Sequence, residues 1–243
     1  MRAVALLLLL TTVIASPARA EDANAALERF FSSEWDYQMQ ESPLWASSLG
    51  DLRWNDRLGD FSLAATERHK QHDRDALKRL LALSTEGLDA RNLENREIFL
   101  DQLQTAVDGQ RFPEELMPVN QQYSLPSGLA SDLAQAPLDS VRHVEDYIDR
   151  LRQVPRALQE LQDVLAEGVR RGITPPRAPL AKVEAQLQAL ATQPLEQSPF
   201  SKPLSELPVS IDAAARASGA GRSGRDPRAG DTGLCAPARL LEG

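Results

Sequence analysis

Val144, Tyr147, Ile148 and Leu151, and then beyond Pro155 Leu158, Leu161, Val164 and Leu165, recur three or four positions apart. That spacing covers one side of a 3.6-residue helix and does not fit the two-residue pleat of a strand. Similar spacing recurs at Leu77, Leu80 and Leu81, then at Phe99, Leu100, Leu103, Ala106 and Val107, and finally at Leu180, Val183, Leu187 and Leu190. No segment alternates apolar with polar residues, and Val and Ile are sparse. The pattern predicts an all-α protein, an antiparallel multi-helix array with long proline-rich connectors.

Local signals place the helix ends. Glu21 to Gln40 reads as a first helix with Leu27, Phe30, Phe31, Trp35 and Tyr37 on its apolar face. Ser42-Pro43 has the form of an N-cap followed by proline at N1, opening a short helix that Gly50 ends. Asp51 to Asp60 is expected to be irregular, with Asn55-Asp56 favouring a turn. Ser62 caps a helix from Leu63 to about Leu83, and a second helix runs from Asp89 to Val107, with Gly109 as its stop. The two should pack as an antiparallel hairpin. Phe112 to Pro137 has no period and carries four prolines, which predicts a long connector. Asp139 is the expected cap of the next helix, and Pro155 is expected to break or restart it. Gly168 and Gly172 end that face, and a last helix is expected from Pro179 to Ala191.

At the N-terminus, Arg2, the apolar run Ala3 to Ala15 and Ala18-Arg19-Ala20 form the pattern of a cleaved signal peptide over residues 1–20. The run is short of the roughly 20 residues a bilayer span needs, so no stable membrane span is expected after cleavage. The expected location is periplasmic or secreted. Residues 21–211 form the helical part. Residues 212–243 change character: from Ala213 on, the chain holds six of its thirteen glycines and no lysine, a composition expected to stay disordered. The net charge of −8 argues against nucleic-acid binding, which needs a basic face. The single cysteine, Cys235, excludes an intramolecular disulfide and a thiolate metal cluster.

No catalytic, cofactor-binding or metal-ligating residue is assigned from the residues. His69 and His72 share one helix face in a highly polar stretch and read as a solvated surface, with a metal pair as the alternative. His143 is followed by Val144, not by the glutamate of a His-Glu-x-x-His pair. Asp51, Asp56 and Asp60 read as turn and cap residues in preference to an acid/base cluster. Trp35, Trp45 and Trp54 are expected in the core, with a ligand groove as the alternative. No Gly-x-Ser-x-Gly elbow or phosphate-cradling glycine-lysine loop is present.

Pro43-Leu44-Trp45-Ala46 with Leu49-Gly50-Asp51, followed by Asn55 through Ser62, resembles the opening of a bacterial family called domain of unknown function 885. Met117 to Gln121, Asp146-Tyr147-Ile148-Asp149-Arg150-Leu151, Gly168 with Gly172-Ile173 and Pro176-Arg177, and Ser198-Pro199-Phe200 are similar to its later segments. The resemblance covers about Ala25 to Ile211. It implies a secreted or periplasmic, metallopeptidase-like protein about twice this length, with a peptide substrate and a zinc motif in its second half. This chain would then be an incomplete domain, a truncated N-terminal half without catalytic activity of its own and with no cofactor. A change of reading frame after about Ala217 would account for the tail. The alternative is a free-standing periplasmic helical binding or scaffold module using Trp45, Trp54 and the proline-rich connector as a groove.

Overall fold

The computed structural model describes residues 22–119, 125–180, 183–194, 197–207 and 211. The signal peptide expected at 1–20, and the tail at 212–243 with Cys235, lie outside the described residues. Within them every regular element is helical and no strand occurs. The helices are α1 (Ala23–Glu41), α2 (Pro43–Ser48), α3 (Leu63–Ala82), α4 (Ala90–Gly109), α5 (Leu125–Leu133), α6 (Val141–Arg171), α7 (Arg177–Leu180), α8 (Val183–Thr192) and α9 (Lys202–Ser205). Short 3₁₀ turns occupy Leu52–Trp54 and Glu114–Leu116.

Several ends form as their chemistry dictates. Ser62 Oγ accepts from the Ala65 amide at 3.1 Å, and Asp89 accepts from the Asn92 amide at 2.8 Å, each satisfying an amide that the first turn leaves unpaired. Gly50 has φ +86°. With the Gly50 amide donating to Ser47 and the Asp51 amide to Ala46, α2 closes in the paired-bond arrangement that a left-handed glycine permits. Pro43 stands at N1 of α2, but the Ser42 side chain makes no cap; its Oγ accepts from Gln38 Nε2 at 3.1 Å.

Other expectations are corrected. Ser140, not Asp139, caps α6, accepting from the His143 amide; Asp139 instead takes the His143 ring at 2.6 Å. The helix does not break at Pro155 but runs 31 residues through it. An interior proline costs about 3 kcal/mol. Val154, Ala157, Leu158 and Leu161 around it are all buried, and burial at about 1.5–3 kcal/mol per large aliphatic side chain outweighs that loss. The aperiodic connector contains α5, and the last expected helix is split into α7 and α8, with 181–182 between them outside the described residues. Leu81 faces solvent and does not pack.

Gly168 is not a stop. It lies inside α6, where a Cβ would come within 2.7 Å of the Ile173 carbonyl and 2.9 Å of the Leu116 carbonyl. Its role is to let the connector backbone approach the helix. Gly172, at φ +71°, supplies the left-handed end.

Among the described residues three apolar clusters form, the smallest being Val144 and Ile148 of α6 with Ile211. Leu27 and Phe30 of α1 join Ala76, Leu77 and Leu80 of α3 and Leu103 of α4. The α3–α4 hairpin is antiparallel, since Arg96 near the start of α4 reaches the Leu80 carbonyl and Gln110 just past its end reaches that of Lys70. Asn24 ties α1 to the turn between them, donating to the Gly87 carbonyl and accepting from the Asp89 amide. The second core surrounds α6, where Tyr147, Val154, Leu158 and Leu161 meet Leu58, Leu129, Leu133, Val183 and Phe200. Tyr147 is buried, and its hydroxyl donates to the Phe200 carbonyl at 2.9 Å.

Candidate functional site

The segment between α2 and α3 folds back along α6, and a polar stripe of that helix serves its backbone. Arg150 is fully buried; its Nε donates to the Arg57 carbonyl at 2.8 Å, and its Nη2 to the Pro43 carbonyl at 3.0 Å and to Ser47 Oγ at 2.6 Å. Gln153 accepts from the Leu58 amide and donates to the Asp56 carbonyl. Arg156 reaches the Gly59 carbonyl, and Glu160 accepts from the Phe61 amide at 2.9 Å. Asp146 accepts from the buried Asn55 amide group at 3.1 Å, and Asn55 in turn accepts from Ser47. The other Asp146 oxygen has Arg142 Nε at 2.9 Å as an ion-pair partner, outside hydrogen-bond geometry. Burial pulls the Arg150 guanidinium down to about 10, partly offset by Asp146 and Asp56, so it stays charged at neutral pH. Buried irregular backbone must find partners, and here one helix face provides them.

The second polar assembly lies between α1 and α3. Glu34, nearly buried, binds His72 Nε2 through one oxygen and Arg79 through the other, each at 2.7 Å. One helical step along α3, His69 pairs with Glu41 at 2.7 Å. Tyr37 stacks flat on the His72 ring with centroids 3.4 Å apart. Burial, then the Glu41 charge, pushes the Tyr37 hydroxyl up to about 12. Desolvation likewise raises Asp73, against the pull of His72 and a long contact from Gln110. Of these groups Glu34, Tyr37, His72 and Asp73 line an open cleft of about 1020 Å³. Trp35, Trp45, Ile98 and Phe99 line it as well.

His69 and His72 therefore form no solvated face; both turn toward α1 and pair with its carboxylates. Trp35 and Trp45 are not core residues. They are 49% and 45% exposed, and they meet edge to face at 5.8 Å on the cleft rim. Trp54 lies apart from them, beneath the Arg53 guanidinium at 4.3 Å. The three aspartates stay separate. Asp51 pairs with Arg53. The Asp56 carbonyl is taken by Gln153, and Asp60 accepts from the Ser62 amide and from Arg68. Burial acts to raise Asp60, but the bonds from Ser62 and Arg68 win and hold it down at about 2.

Glu34, Gln153 and Glu160 were hidden from motif reading, whereas Asp146 and Arg150 stood in a segment that carried the family resemblance without a role attached to either. The stripe on α6 was present as spacing, because 146, 150, 153, 156 and 160 follow the same three-and-four rhythm as its apolar face. Nothing local marked Glu34, whose partners lie 38 and 45 positions away.

The zinc that the family resemblance implies has no fit in these residues. Among those described, no three His, Cys, Asp or Glu side chains converge on a point. His72 and Glu34 face each other, Glu34 is further held by Arg79, and a catalytic zinc takes about three protein ligands. No described helix is long and apolar enough to cross a membrane.

An all-helical chain whose long helix clamps an irregular aromatic segment is the class that fold and seam define. A family model described as "Bacterial protein of unknown function (DUF885)" matches residues 43–225, and the chain belongs to that family. The match opens at Pro43, the first residue of α2, and runs to residue 225, past Ala217, after which a change of reading frame was expected. No curated protein matches the chain.

Proposed function

We propose that this chain is the non-catalytic helical part of an exported, zinc-metallopeptidase-like protein, and that it supplies a scaffold and one wall of a peptide-binding cleft. The observation that carries this reading is the use made of the histidines. His69, His72 and His143 are each engaged by a carboxylate of their own or a packed helix, at 2.6 to 2.7 Å. They work as joints between helix turns, and a zinc-activated water would need ligands from elsewhere.

A second reading, a free-standing periplasmic binding module, draws support from the same cleft, since a half-exposed tryptophan pair over a polar wall suits an extended peptide. Zinc content and peptide hydrolysis of the purified chain test the first. The expected result is neither stoichiometric zinc nor turnover; stoichiometric zinc with peptidase activity contradicts it. A cooperative, metal-independent melt together with peptide binding quenching the tryptophan fluorescence favours the module. Poor solubility with dye-detected apolar surface favours the half-protein.

A further inference from the structure

Beneath the clamp, a smaller cavity of about 220 Å³ is bounded by Leu44, Trp45, Ser47 and Ser48 on one side and by Asp132, Gln135, Ala136 and Arg150 on the other. Its size lies below the range that drug-sized ligands fill, so an occupant must be small. Two opposite charges line it. Arg150 spends Nε and Nη2 on the connector, which leaves Nη1 without a bond. Among the described residues the side-chain nitrogens and oxygens both sealed and unpaired are Arg96 Nε and Asp146 Oδ1. Arg150 Nη1 is therefore unpaired yet not sealed, on a side chain 1% exposed that lines this cavity. Asp132, at the last turn of α5, has no ion pair or side-chain hydrogen bond among the described residues, and desolvation raises its carboxyl.

A buried cation with one free nitrogen takes a carboxylate well, because a charge-assisted bond is about twice as strong as a neutral one. An unpaired carboxylate in the same cavity rejects a plain anion and accepts an ammonium. Leu44, Trp45 and Ala136 add a small apolar surface. We propose that this cavity binds a free α-amino acid, its carboxylate on Arg150 Nη1, its ammonium at Asp132 and a small side chain against Leu44, Trp45 and Ala136. The site does not rest on the peptidase reading, and it shares only Trp45 with the larger cleft.

Titration calorimetry of the purified chain tests this with glycine, L-alanine, acetate, methylamine and the dipeptide alanyl-alanine. L-Alanine should bind at least about tenfold tighter than acetate or methylamine, each of which offers one of its two charges. Asp132→Asn should weaken L-alanine about tenfold while acetate, no longer repelled, binds more tightly. Ala136→Leu, which narrows the cavity and removes none of the clamp's hydrogen-bonding groups, should abolish the signal with an unaltered circular-dichroism spectrum. The proposal is overturned by the absence of L-alanine binding up to about 10 mM or by acetate binding equally well. Tighter binding of the dipeptide, or affinity that neither substitution changes, overturns it as well.

Discussion

Along one stripe of α6 the side chains of Arg150, Gln153, Arg156 and Glu160 hold the backbone of another segment, whereas between α1 and α3 charged side chains pair with one another beside an open cleft. Arg150 is 1% exposed and bonds to two carbonyls and a hydroxyl. His72 and Glu34 bond to side chains, and the ring stays open enough to line the cleft wall. Removing one partner from a buried charged network strands the others, while removing one from a rim pair lets water replace it. Both regions contain polar helix faces of similar composition, and only burial separates their energetic weight.

The sharpest break of that contrast is Arg150→Ala against His72→Ala. The first should cost about 3–5 kcal/mol, because two carbonyls and Ser47 lose their donor and the buried Asp146 loses a nearby cation. The second should cost about 1 kcal/mol or less, as expected for a partly exposed pair. Midpoints of urea unfolding compare them directly. Next comes Gly168→Ala, which forces a Cβ against two carbonyl oxygens and should cost about 1–3 kcal/mol by overpacking. Gly109→Ala, at a position with nothing within 4 Å, should be neutral or stabilise by up to about 1 kcal/mol. Thermal melts of the two glycine variants should move in different directions.

Two smaller effects concern pH. Asp60 titrates at about 2, below its ordinary 3.8, so its contribution is complete above the ordinary value and fades as pH falls from about 4 toward 2. Asp60→Asn should remove that part of the acid sensitivity, read from melting temperature against pH. Asp73 is shifted the other way by desolvation. The folded state then favours its neutral form, and the associated stability is lost as pH rises through its raised value. Asp73→Asn should raise the melting temperature at neutral pH more than at pH about 4.

The parts legible in the sequence were those settled within a few residues. Ser62 and Gly50 each act on an amide or carbonyl three positions away, and each performs the cap or stop expected of it; Asp89, read as the first helical residue, is instead the cap. What escaped depends on distant neighbours. Pro155 breaks an isolated helix, but the core around Leu158 and Leu161 holds this one straight through it. Gly168 resembles a helix end until Leu116, far back in the chain, is seen resting on it. Trp35 and Trp45 carry the size and hydrophobicity of core residues; their place on a rim follows from how α1 meets α2. The stripe on α6 shares the spacing of its apolar face, yet spacing alone does not reveal that the carbonyls of Pro43 and Arg57 lie opposite Arg150.

The clamp is best tested by amide hydrogen exchange at Leu58 and Phe61, which donate to Gln153 and Glu160 across 95 and 99 positions of sequence. Both lie outside regular structure, so an unclamped loop would exchange them freely. Protection comparable to that of the Val154 and Leu158 amides of α6 is predicted, with Glu160→Ala releasing Phe61 and leaving Leu58 protected. Exchange of both amides at unprotected rates in the unaltered protein would contradict the clamp.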